Sequence, residues 1–170
     1  MVQEKLCENY PFRIVLVSNL VSISTYLIGA FIICNIGPVW LALYLLYILF
    51  LEIRLLKNHC TSCYYFGKTC AFGKGRLSCV LFKKGNKKFA DRPITWKSII
   101  PDFMAAVVPM IAAVWLLTMR FDWLFLMLLI TLFVLGFPAS GLVRSKLACK
   151  YCKQRKLGCP AEKLFDKTRK

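Results

Sequence analysis

Acidic side chains are scarce in this sequence: eight Asp and Glu stand against 24 Lys and Arg, and there is a single His among 170 residues. That shortage removes most acid–base machinery at the outset. The carboxylates in or near apolar stretches reduce to Glu52, Asp102 and Asp122, all near the ends of those stretches, with no deep acid–base pair. Charge of either sign is thin as well, at 19% of residues against 58% hydrophobic and a mean hydropathy of +0.58, a balance foreign to soluble domains. Nine Gly and seven Pro without a period exclude a collagen, and the apolar content excludes disorder and a small secreted disulfide scaffold.

What is present is four apolar stretches, residues 14–36, 39–56, 103–119 and 123–143. The second carries Glu52 and Arg54 near its far end, and the other three carry no charge. About 20 apolar residues cross a hydrocarbon layer of about 30 Å, and a backbone with no water around it must pair its own N–H and C=O groups. Four spanning helices follow. The bland alternative, buried helices of a soluble bundle, calls for polar faces that the stretches lack. The first stretch is no secretory leader by pattern, because Glu4 and Glu8 precede it and residues 30–36 offer no A-x-A site.

The links are short. Asn35-Ile36-Gly37-Pro38 ends the first helix and starts the second, and Arg120-Phe121-Asp122 joins the last two, with Asp122 placed to cap the fourth. Trp40 and Trp123 follow the two turns, where an indole suits the headgroup level. Pro109, and Pro138 after Gly136, predict kinks in the second hairpin that the first lacks. Ser18, Asn19, Ser22, Ser24 and Thr25 make the first span the most polar, a pattern suited to helix packing. The fold class expected is all-α, an integral membrane four-helix bundle of two helical hairpins in tandem repeat, each followed by a small Cys-rich cytosolic segment. Its divisions are an N-terminus (1–13), a first hairpin (14–56), a basic Cys-rich segment (57–98), a second hairpin (99–143) and a basic Cys-rich tail (144–170).

Two hairpins return the N-terminus, the middle segment and the tail to one side. Residues 57–97 hold ten Lys and Arg, residues 144–170 hold ten more, and the opposite side keeps Arg120. Cations are retained on the cytoplasmic face, so the termini are expected in the cytosol and the membrane is expected to be the cell membrane. Residues 93–101, with Trp96 and Lys97, are expected to lie along the interface before the third helix.

Cytosolic thiols are kept reduced, which favours metal ligation or redox chemistry for clustered cysteines. Seven of the nine cysteines fall in the two basic segments; Cys7 and Cys34 stand alone and read as small apolar residues. Cys60, Cys63 and Cys70 form C-x2-C-x6-C, and so do Cys149, Cys152 and Cys159. The shared offset, each time after a hairpin, is the mark of an internal repeat. The repeat is imperfect, since Cys79 extends the first copy and His59 precedes it without counterparts.

Two residues between thiols let both sulfurs reach one ion, and tetrahedral zinc needs four ligands. Spacing leaves two assignments open. Cys60, Cys63, Cys149 and Cys152 can share one site, or Cys60, Cys63, Cys70 and Cys79 can form a self-contained one, with His59 lent to the second triad. Adjacency to Cys60 makes His59 awkward on the same ion, and a lone His near a membrane is ordinarily a polar interface residue. An iron–sulfur cluster is the alternative cofactor: Cys159-Pro160 is similar to the Cys-Pro ending of bacterial ferredoxin runs, without their C-x2-C-x2-C core. Thiol exchange is the third option, with nearby Lys and Arg expected to lower the thiol pKa values.

Lys83, Lys84, Lys87 and Lys88, with Lys153, Arg155 and Lys156, sit near helix ends, where such clusters attract anionic lipid heads. A protein partner or a second copy of the chain is also expected. Nucleic acid, which Tyr64, Tyr65, Phe66, Phe72 and Tyr151 among these cations could stack against, is the less favoured partner for a membrane-tethered chain. The function expected is a multi-pass membrane protein whose paired clusters bind metal, zinc before iron–sulfur, and organise a basic docking surface in a structural or accessory role. The alternative is a membrane-bound redox protein exchanging electrons with a quinone or protein.

Overall fold

The computed structural model describes residues 7–85, 89 and 96–159. Among the described residues the chain is helical and contains no named strand. The elements are α1 (Phe12–Cys34), α2 (Pro38–Asn58), a 3-10 turn (Cys60–Ser62), α3 (Lys74–Leu81), α4 (Trp96–Met119), α5 (Trp123–Val134), a π turn (Leu135–Ala139), α6 (Ser140–Leu142), a π segment (Val143–Cys149) and α7 (Lys153–Lys156). Four helical stretches, Phe12–Cys34, Pro38–Ser62, Ile99–Met119 and Trp123–Cys149, are long and apolar enough to cross a membrane. The chain divides into two compact units. One comprises Asn19–Glu52 and Lys97–Leu142; the other comprises Met1–Ser18, Ile53–Trp96 and Val143–Lys170. They are called the helical unit and the cysteine unit below.

In the helical unit, Ile32, Ile33, Tyr44, Ala112, Ala113 and Leu132 form one core fed by all four long helices. Large apolar residues point outward around it: on α1 alone Leu20, Ile23, Leu27 and Phe31 are exposed, while Thr25 is buried. Thr25 satisfies its hydroxyl by donating to the Val21 carbonyl at 2.8 Å. Apolar outside and small polar groups inside is the arrangement for a hydrocarbon solvent, where burial of oil gains nothing and hydrogen bonds and close packing hold helices together. Glu52 is not left to solvent on its own, because Tyr26 Oη donates to it at 3.2 Å across α1 and α2.

The prolines are handled with hydroxyls. Pro109 has no N–H and strands the carbonyl four residues before it. That carbonyl, on Ala105, accepts a hydrogen bond from Tyr44 Oη at 2.8 Å. Gly29 makes room for the phenol: a β-carbon there runs into Tyr44 Oη and lies 3.1 Å from Pro109 Cγ. Tyr47 Oη donates to the Pro101 carbonyl at 2.8 Å. In the fourth span the disturbance takes the form of the π turn, which contains Pro138, with Ser140 Oγ donating to Gly136 O at 2.6 Å. Asp122 accepts from Leu124 N at 2.9 Å and so caps α5, as its position after the turn predicts.

Residues 96–101 are already helical, and the stretch long and apolar enough to cross a membrane begins at Ile99. They are the first turns of α4, which takes Pro101 at its sixth position and runs on to Met119. Residues 93–95 fall outside the described residues. The two Cys-rich segments also differ in backbone. Cys60 opens a 3-10 turn, whereas Cys149 ends a π segment.

Candidate functional site

The cysteine unit is built around two phenols. Tyr10 and Tyr65 are buried with Ala71 and Ala148, their rings 5.6 Å apart. Tyr65 lies two residues after Cys63 and works in both directions: its hydroxyl donates to the Cys7 carbonyl at 2.8 Å and accepts from the Lys153 backbone N–H at 3.1 Å. Tyr64 N donates to the buried Gln154 side chain at 2.7 Å. These bonds join the first triad to the second.

The N-terminal segment lies against both. Cys7 N donates to Tyr151 O at 3.1 Å, and Cys7 and Cys152 form an isolated parallel bridge. Thr69 N donates to Asn9 Oδ1 at 3.1 Å, and Tyr10 N donates to Thr69 O at 3.0 Å. Tyr10 Oη donates to Ala148 O, and Glu8 pairs with Lys153. The loop of the first triad is tight enough to require glycine. Gly67 and Gly73 have φ of 77° and 68°, and a β-carbon on Gly75 would run into the carbonyl oxygens of Tyr65 and Lys68.

Cys63 is half-buried. Burial pushes its thiol up to about 11, opposed by the Tyr65 backbone N–H and reinforced by the neighbouring Cys152, Cys70 and Cys159. Burial also raises Cys152, against hydrogen bonds from Arg155, Gln154 and Tyr65 and with Cys159 adding to the rise. Tyr65 is pushed up to about 12, chiefly by burial. For these two thiols the direction is upward, not the lowering expected from basic neighbours: desolvation of the thiolate outweighs the hydrogen bonds that favour it. A protonated thiol is a poor nucleophile. A divalent ion, by contrast, removes the cost by replacing the protons.

Of the six triad cysteines Cys149 is exposed and the other five are half-buried. Cys79 is exposed, its sulfur facing Gly67. The His59 ring meets Phe89 edge-on at 6.4 Å. Among the described residues no three His, Cys, Asp or Glu side chains stand in the geometry of a metal site. Ligation therefore requires the thiols to turn toward one another.

Of the basic residues, Lys83, Lys84 and Arg155 are exposed. Lys153 is engaged with Glu8, which lowers the Glu8 pKa and raises that of Lys153. Lys87, Lys88 and the Lys156 side chain lie outside the described residues. The aromatic rings carry internal partners: Lys68 Nζ stands 4.4 Å over Tyr64, Arg144 5.9 Å over Phe72 and Lys150 5.5 Å over Tyr151.

Composition offered no signal for Cys7, Tyr10, Tyr65 or Gln154 as parts of this site. Tyr65 and Gln154 each sit two residues beyond the second cysteine of a triad, Cys63 and Cys152, and that matched offset is the one pattern that marks them in the sequence. Comparison with protein-family models, with curated proteins and with solved structures returns no match for the chain.

Proposed function

We propose that the chain is a multi-pass membrane protein whose two C-x2-C-x6-C triads together bind one zinc ion, in a structural or accessory role. The observation that supports this reading is that Cys63 and Cys70 of one triad and Cys152 of the other pack against one core, tied by the Tyr64–Gln154 and Tyr65–Lys153 hydrogen bonds, although the triads lie at opposite ends of a span pair in the sequence. A site made of thiolates alone would suit a structural zinc rather than a catalytic one, which keeps an open position. The two triads are read as copies of a hairpin-plus-cluster repeat, returned to the cytosolic side by an even number of crossings. Exposed Lys83, Lys84 and Arg155 then form a basic surface for anionic lipid heads of the cell membrane, or for a protein partner or a second copy.

The test is elemental analysis with an optical spectrum of anaerobically purified protein. Stoichiometric zinc without visible absorption is the expected result. Broad visible absorption with iron and acid-labile sulfide overturns it in favour of an iron–sulfur redox protein. Topology is tested separately by an impermeant thiol reagent on Cys70 and Cys159, which must react from the same side of sealed vesicles.

A further inference from the structure

On α3 the large apolar side chains face the wrong way for a helix packed in water. Its inward side carries Gly75 and Ser78: a β-carbon on Gly75 would run into the carbonyl oxygens of Tyr65 and Lys68, and Ser78 is fully buried, its Oγ donating to the Leu56 carbonyl at 3.4 Å. Leu77, Val80 and Leu81, at i, i+3 and i+4, form a stripe on the opposite side, with Val80 82% exposed. The exposed cations Arg76, Lys83 and Lys84 border that stripe, and the sequence holds no Asp or Glu between Glu52 and Asp91. The helix is also held at a defined level along α2. Leu56 is the last apolar residue of α2, in the stretch Pro38–Ser62 that is long and apolar enough to cross a membrane. Beyond α3, Gly85 N donates to Thr61 O at 3.0 Å, in the 3-10 turn that follows α2. An apolar stripe edged with cations is thus tethered twice to the end of a candidate span.

Resting on the membrane reading above, we propose that α3 is an interfacial helix: Leu77, Val80 and Leu81 enter the hydrocarbon boundary of the cytosolic leaflet that α2 crosses, and Arg76, Lys83 and Lys84 meet the phosphates of anionic lipid heads. A helix lying in the interface buries its apolar face to a depth of about 5–10 Å, while the long stems of its cations let the charges stay among the headgroups. Charge selects the leaflet over a second copy of the chain. A twofold contact through this face would set Arg76, Lys83 and Lys84 against themselves, whereas an anionic leaflet is complementary to them. The leaflet also needs no recruitment, since it surrounds the end of α2 to which α3 is bonded.

The experiment reconstitutes the full chain in vesicles of phosphatidylcholine and phosphatidylglycerol in equal parts, with a photoreactive benzoylphenylalanine in place of Val80, or of Leu77 should the Val80 variant fail to fold. Irradiation followed by mass spectrometry identifies what is joined to it. The same group in place of Leu27, which is exposed on α1, reports the membrane reading independently. Lipid adducts on α3 are expected, with phosphatidylglycerol exceeding phosphatidylcholine at least about twofold, and Arg76→Gln, Lys83→Gln and Lys84→Gln together are expected to bring that ratio to about one. A covalent dimer in place of lipid adducts on α3, or no adduct there, overturns the inference, and lipid adducts at Leu27 then leave the membrane reading standing. Lipid adducts on α3 in equal proportion overturn the contact with anionic heads. Absence of lipid adducts at Leu27 overturns the membrane reading itself.

Discussion

The two units keep buried polar groups satisfied in opposite ways. In the helical unit the backbone pairs with itself along long helices, and side-chain hydroxyls repair the places where proline interrupts that pairing, as Tyr44 does at Ala105. In the cysteine unit helices are short, α3 having eight residues and α7 four, and several tertiary bonds run from side chains of one segment to backbone of another. Its core consists of Tyr10, Tyr65, Ala71 and Ala148. Half-buried residues such as Ile14, Val15 and Phe72 pack against it, and small cores are commonly supplemented by cross-links or a structural metal. On the zinc reading proposed above, stability of the cysteine unit is expected to depend on the ion and that of the helical unit not to.

Metal removal is the strongest way to break this comparison. Stripping zinc with a high-affinity chelator should abolish hydrogen-exchange protection at the Tyr64, Thr69 and Lys153 amides while α1 and α4 stay protected. Loss of protection in both units at once would show that they share one stability.

Replacing one phenol in each unit sharpens the comparison. Tyr65→Phe removes the donor to Cys7 O and the acceptor of Lys153 N together, and should lower the stability of the cysteine unit by about 2–3 kcal/mol, read from exchange at the Lys153 amide. Tyr44→Phe leaves the Ala105 carbonyl without its phenol and should cost about 1 kcal/mol, since hydrogen bonds between membrane helices are worth little more than that. Denaturant titration in detergent measures the latter. An effect of Tyr44→Phe exceeding that of Tyr65→Phe would invert the assignment of which unit relies on side-chain bonds.

The smallest effect is electrostatic. Lys153 holds the Glu8 carboxyl below its ordinary range, so the folded state binds its proton less readily than the unfolded one. The stabilisation is present above the ordinary Glu pKa near 4.5 and is lost as pH falls through the lower folded value. The pair is exposed, so salt screens it. Unfolding of the cysteine unit should show a slight acid dependence below about pH 4.5 that Glu8→Gln removes and the helical unit lacks.

Much of the helical unit was legible in the sequence because its causes are local. Uncharged apolar runs set the helices, Asp122 sits at its cap, Pro109 marks a carbonyl that a phenol satisfies, and Pro138 falls in the π turn. The third helix begins at Trp96, earlier than its apolar run, because Pro101 is accommodated within α4. The triads were legible as a repeated spacing, but their geometry was not: the same pattern folds as a 3-10 turn in one copy and follows a π segment in the other. Basic residues near a thiol suggested a lowered pKa, and burial, which a sequence does not display, decided the direction for Cys63 and Cys152.

Hydropathy by itself determined four helices able to cross a membrane, because the demand that backbone groups pair within lipid acts on each stretch separately. Which thiols meet was decided only in three dimensions. Tyr10, Tyr65 and Gln154 reach partners 58 to 138 positions away, and bonds of that range depend on how the segments pack rather than on any residue's neighbours in the chain. Cys7 carries the difference: a lone thiol in the sequence, it stands beside Cys152 in the fold because a phenol from the first triad and a carbonyl from the second hold its peptide groups.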